Sequence, residues 1–186
     1  MKNKSRVKSQ KSKVRGGLII VYTGEGKGKT TAALGLAMRA AGWGDKTAII
    51  QFIKGYKKTG EWQITKRIEE IDTYQTGDDK VMAIGKPTKK HHQSARNALK
   101  LTKKIIKEQK YKIIILDEIN NALDYDLVEA GEIIKLLKNK PVEQTIVLTG
   151  RGAPQEIIEI ADLVTEMKSL RHPFDSGIPA KRGIDY

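Results

Sequence analysis

The sequence predicts an α/β fold, with a mostly parallel central sheet of about five to six strands and helices on both faces. Three observations carry that expectation. The run Leu18-Ile19-Ile20-Val21-Tyr22 is apolar and β-branched, breaks into Thr23-Gly24-Glu25-Gly26-Lys27-Gly28-Lys29-Thr30-Thr31, and gives way to an Ala/Leu-rich helical segment. A second buried strand over 46–53 completes a strand–helix–strand unit, and such a crossover makes the two strands parallel. The run Ile113-Ile114-Ile115-Leu116-Asp117-Glu118 is another buried strand, ending in two carboxylates.

The first of these stretches has the layout of a phosphate cradle. Gly24, Gly26 and Gly28 lack a Cβ, so the backbone can reach positive φ and aim successive N–H groups into one concavity. The N-terminus of the following helix adds partial positive charge. Lys29 supplies a full charge to the phosphates, and the Thr30 hydroxyl is suited to ligate Mg²⁺; Glu25, Lys27 and Thr31 complete the candidate nucleotide loop. Counted back from Gly28-Lys29-Thr30, the pattern GxxxxGK[ST] asks for glycine at 23. Thr23 stands there and glycine follows at Gly24, so the loop is one residue short.

The remaining elements follow in order. The helix over 29–41 should bury Ala33, Leu34, Ala37 and Met38 and stop at Gly42. After the second strand come a loop over 54–61, a helix over 62–71, then a short strand and a long loop over 73–87 that reads as a lid. An amphipathic helix over 88–109 carries Ala95, Ala98, Leu99, Leu101, Thr102, Ile105 and Ile106 on or beside one face. Beyond the strand at 113–118, a helix over 127–137 is stopped by Asn139 and Pro141. A strand over 144–149 leads into Gly150-Arg151-Gly152, and a short helix (155–160) and a last strand (163–167) precede a tail with little regular structure. Sites in open α/β sheets form at the carboxyl ends of the strands, so the cradle, Asp117, Glu118 and Arg151 should meet at one edge. There one of Asp117 and Glu118 would hold Mg²⁺ directly or through water, beside Thr30, and the other would polarise a water or position the metal. His91, His92 and His172 read as solvated, and Trp43 and Trp62 as packing residues.

Composition bounds the alternatives. Hydrophobic residues make up 39% and charged residues 31%, the balance of a soluble globular domain, here spanning 17–186. No apolar run is long enough to cross a bilayer, and the basic N-terminus does not lead into a secretory signal. Zero cysteines exclude disulfides, thiolate metal sites and cysteine nucleophiles, and fit a cytoplasmic home. The net charge is +13, and residues 1–16 hold seven basic residues and no acid, which reads as a flexible basic arm.

The loop from Gly24 to Thr31, Gln51-Phe52-Ile53-Lys54-Gly55, Ile115-Leu116-Asp117-Glu118-Ile119, Leu148-Thr149-Gly150-Arg151, His172-Pro173-Phe174-Asp175 and the closing Gly183-Ile184-Asp185-Tyr186 together resemble the ATP:corrinoid adenosyltransferases of cobalamin synthesis and salvage. The resemblance implies a RecA-like P-loop sheet, a homodimer, and transfer of the 5′-deoxyadenosyl group of ATP to a reduced corrinoid with release of tripolyphosphate. It also implies a separate electron-donating reductase, and ATP lying in the loop in the reverse of the usual sense, which accounts for the shortening. Lys29 and Lys27 would then stabilise the charge growing on the triphosphate, together with Mg²⁺ held by Thr30 and Glu118, with Asp117 sharing it or standing behind. No general base is needed, because Co(I) has no proton to lose. The family's middle-loop aromatic pair, Phe-x-Trp, packs on the corrin; the corresponding stretch here, 83–90, has no aromatic, so that contact transfers to no named residue. Three rival readings are a RecA-like ATPase acting on nucleic acid, a small-molecule kinase, and a non-catalytic ATP or corrinoid sensor. The short loop and the lack of an aromatic-rich basic stripe disfavour nucleic acid.

Overall fold

Six strands form one all-parallel sheet in the computed structural model, which describes residues 16–53, 59–77 and 87–186. The elements are β1 (Ile19–Thr23), α1 (Lys29–Ala41), β2 (Thr47–Gln51), α2 (Gly60–Thr65), β3 (Ile71–Gln75), α3 (Lys89–Glu108), β4 (Ile113–Asp117), α4 (Ile119–Asp124), α5 (Ala130–Lys138), β5 (Thr145–Thr149), α6 (Gln155–Ile160) and β6 (Leu163–Glu166). The strand order is β3-β2-β4-β5-β1-β6. Helix α1 therefore carries the chain from β1 across β5 and β4 to β2, and the glycine-rich loop sits where that crossover begins.

Alternation along the strands divides the core in two. Ile20, Ile49, Ile115 and Val147 face α1 and pack with its Ala33 and Ala37. Their neighbours Val21, Ile50, Ile114, Leu116 and Leu148 face the other way, onto α3, α4, α5 and α6. Both faces are apolar because a parallel sheet is covered on both sides. A thin α1 stripe of alanines lets the helix lie close to the sheet, bringing its first turn over the strand ends.

Several expectations need correction. Met38 is exposed, and Ala40 takes the inward position expected of it. The helix expected over 62–71 ends at Thr65, and Ile71 already opens β3. The helix expected from 127 starts at Ala130, and α4 was not foreseen. His91 is a helix cap, accepting the Thr88 N–H at 2.9 Å through Nδ1. Trp43 is 84% exposed and packs little. Most of the basic arm (1–15), the loop at 54–58 and the expected lid over 78–86 lie outside the described residues.

Candidate active site

Parallel register lines up polar residues at the carboxyl edge. Gln51 pairs with Asp117 across β2 and β4, Leu116 with Leu148 across β4 and β5, and Tyr22 with Thr149 across β1 and β5. Three neighbouring strands thus end on Gln51, Asp117 and Thr149. The Asp117 carboxylate is fully buried, a location tolerable only with hydrogen-bonding partners. Its Oδ1 accepts from the Thr149 hydroxyl at 2.7 Å and from the Thr30 hydroxyl at 2.9 Å. Its Oδ2 accepts from Gln51 Nε2 at 3.2 Å, and Gln51 Oε1 accepts in turn from Gln75 Nε2 at 2.8 Å. Asp117 is thereby fixed directly beneath the first turn of α1.

Glu118 turns the chain sharply. Its φ of 63° is left-handed, and its N–H donates to Thr149 Oγ1 at 3.0 Å, so one threonine holds both acids. Helix α4 starts immediately after and is pinned to the β5 exit. Asn120 Nδ2 donates to the Gly150 carbonyl at 3.3 Å, and Asn121 Oδ1 accepts the Arg151 N–H at 2.9 Å. Glu118, Asn121 and Arg151 consequently line one cleft of about 590 Å³ with Glu25, Gly26, Lys27, Gly28, Lys29, Thr30 and Thr31.

The glycine-rich loop departs from the simple anion nest in one respect. The Gly26 N–H points away from the cavity and donates to the Met167 carbonyl at 2.6 Å. A Cβ at Gly24 would lie 2.5 Å from the Met167 carbonyl oxygen, and one at Gly26 2.7 Å from the Lys168 backbone. These two glycines answer to the close approach of the segment after β6, and Gly24 and Gly28 also have φ of 93° and 117°. Lys29 Nζ arches over the loop and donates to the carbonyls of Gly24 at 2.6 Å and Gly26 at 2.7 Å. Glu25 and Arg151 pair at 3.3 Å, both largely exposed. Lys27 forms an ion pair with Asp185, whose carboxyl is held below its ordinary value first by the Lys181 N–H and then by Lys27.

The expected residues are all at this edge: the loop and α1 start, Glu118 and Arg151 on the cleft, Asp117 buried below Thr30. Gln51, Thr149 and Asp185 stand in the runs that carry the resemblance, but their residue types alone assign them no role. His172, read as solvated, lines the cleft and accepts the Phe174 N–H at 3.2 Å. Oxygen donors gather here, and among the described residues no three His, Cys, Asp or Glu side chains cluster as a dedicated metal cage. Such a donor set suits Mg²⁺, which is bound through one or two protein oxygens together with water and phosphate.

A family model described as ATP:corrinoid adenosyltransferase BtuR/CobO/CobP matches residues 15–186. The chain belongs to that family. A corrinoid adenosyltransferase of Sinorhizobium sp. is 40% identical over 172 residues, covering 91% of this chain and 80% of the relative. The Escherichia coli K12 corrinoid adenosyltransferase is 36% identical over 175 residues, covering 91% and 86%. Corrinoid adenosyltransferase CobA of Salmonella typhimurium LT2 matches to the same extent. Among solved structures, a KaiC-like protein from Pyrococcus horikoshii superposes with a TM-score of 0.50 at 18% identity, covering 85% of this chain and 75% of that one. That likeness concerns the fold, an α/β P-loop sheet. Membership in the adenosyltransferase family makes the chain an enzyme and favours alkyl transfer from ATP over the nucleic-acid ATPase, kinase and sensor readings.

Proposed function

We propose that the chain transfers the 5′-deoxyadenosyl group of ATP to the Co(I) centre of a reduced corrinoid and releases tripolyphosphate. The observation that carries this reading is the shortened loop and Thr30 sharing one cleft with Glu118, with Asp117 buried beneath Thr30. Attack on C5′ needs the three phosphates gripped as a leaving group with the ribose carbon turned outward, and a compressed loop suits that orientation. The electron pair of Co(I) forms the Co–C5′ bond while the C5′–O bond breaks and its pair leaves with the triphosphate. No proton moves from the nucleophile, so the chain's work is positioning and charge.

Lys29, released from the Gly24 and Gly26 carbonyls, would carry positive charge to the leaving triphosphate, and Lys27 would add a second cation from the cleft wall. The backbone of the loop and the α1 N-terminus orient the same anion. Thr30 and Glu118 would hold Mg²⁺, with Asp117 fixing the Thr30 hydroxyl from below. When bound, Mg²⁺ supplies electrostatic stabilisation of the phosphate oxygens. An electron-donating reductase outside this chain would generate Co(I), a homodimer is the assembly the family resemblance favours, and the cysteine-free composition fits a cytoplasmic home.

The test is product analysis. Purified chain, Mg²⁺, ATP and chemically reduced cobalamin should yield adenosylcobalamin and tripolyphosphate in equal amounts. ADP formed in step with a phosphorylated acceptor, or orthophosphate released on adding single-stranded nucleic acid, would overturn the assignment.

A further inference from the structure

One wall of the cleft is built by residues that hardly touch the core. From Lys168 to Tyr186 no residue is buried, although the Asp185 side chain is only 27% exposed. Yet Gly183, Ile184, Asp185 and Tyr186 border the cavity opposite the loop. Within this stretch the chain closes on itself. The Ile184 and Asp185 N–H groups donate to the Lys181 carbonyl at 3.1 and 2.8 Å, and the Gly183 N–H donates to the Tyr186 carbonyl at 2.8 Å. The Asp185 carboxylate staples the same turn through the Lys181 N–H at 2.7 Å. Its other oxygen reaches across to Lys27 of the phosphate loop, 158 residues earlier in the chain.

We propose that Asp185 is a positioning residue for ATP: it straps the 181–186 turn across the nucleotide cleft and holds the Lys27 ammonium aimed at the triphosphate. An ammonium has three N–H donors, of which Asp185 engages one, so Lys27 can bridge the turn and a phosphate together. Both carboxylate oxygens are already committed, one to Lys27 and one to Lys181, so Asp185 presents its charge to its own turn and to Lys27. Held this way, Lys27 gives up less side-chain freedom when the nucleotide arrives. This inference rests on the reading that the triphosphate occupies the loop.

Charge alone predicts the opposite of positioning, which makes the test sharp. Deleting a negative charge from a site for a polyanion should tighten binding by simple Coulomb attraction, whereas loss of the strap should weaken it. Titration of MgATP into the full-length chain without corrinoid, by calorimetry, separates the two. With Asp185→Asn, affinity should fall roughly three- to fivefold, the range of one partly exposed ion pair, and Asp185→Glu should restore much of it. In the Lys27→Ala background Asp185→Asn should have no further effect, because the carboxylate acts through that lysine. Unchanged or tighter binding by Asp185→Asn, or an effect that persists without Lys27, would overturn the strap. Failure of the unmodified chain to bind MgATP would instead overturn the underlying reading of the site.

Discussion

Thr149→Val tests the linchpin of the carboxyl edge. The replacement has nearly the same shape and sits in a fully buried position, so it opens no cavity. It removes the O–H that donates to Asp117 at 2.7 Å and the oxygen that accepts from the Glu118 N–H at 3.0 Å. A hydrogen bond to a buried carboxylate contributes about 1.5–3 kcal/mol, and a backbone N–H deprived of its acceptor costs about 1–3 kcal/mol. The methyl gained offsets part of this, so the expected loss is about 2–4 kcal/mol, read as a lowered midpoint of urea unfolding followed by circular dichroism. Because Glu118 swings on the same contact, MgATP affinity should fall as well. Thr149→Ser is the control: it keeps the hydroxyl and loses only one methyl, at a cost of about 1 kcal/mol. If Thr149→Val unfolds within about 0.5 kcal/mol of the unmodified chain, or Thr149→Ser proves equally damaging, the hydroxyl does not hold the acids together.

Three further outcomes follow from the same geometry. Lys29→Ala should lower adenosyl transfer by at least about a hundredfold while leaving the circular dichroism spectrum unchanged, since the loss is of transition-state charge stabilisation. Gly26→Ala drives a methyl to within 2.7 Å of the Lys168 backbone, so the loop must shift and MgATP affinity should drop about tenfold or more in a binding titration. Tyr111 is buried and its hydroxyl donates to Asp72 at 2.6 Å; burial first, and then that hydrogen bond, raise its pKa far above the ordinary value. A group raised on folding contributes its full stability below the unfolded pKa and loses it as pH rises. Unfolding midpoints should therefore decline above about pH 10, and Tyr111→Phe should flatten that decline.

The buried strands were legible because β1, β2, β4 and β5 are near-continuous apolar runs, the signature of strands covered on both faces. The phosphate loop was legible for a different reason: its glycines, lysine and threonine are contiguous. Strand β3 was legible only as a short strand from Thr73, and its start at Ile71 was missed, because it lies at the sheet edge, where only Ile71 is buried and Asp72-Thr73-Tyr74-Gln75 show no apolar alternation. Helix α4 has six residues, too few for a 3.6-residue period to register, and its start is set by the left-handed Glu118. The roles of Gln51 and Thr149 escaped because a polar residue ending a strand is ordinary until register sets it beside Asp117. The Lys27–Asp185 pair joins opposite ends of the chain, and no local pattern announces it.

Strand β6 is one of the two edge strands of the sheet, and each of its residues is exposed, yet the chain leaving it backs the phosphate loop through the Met167 carbonyl. Outer strands with little apolar cover open at lower free energy than the centre of a sheet. Warming the enzyme should therefore slacken its grip on nucleotide while β2, β4 and β5 are still intact, so that catalysis fails at a lower temperature than melting. Conversely, a saturating nucleotide should slow amide exchange in residues 163–167.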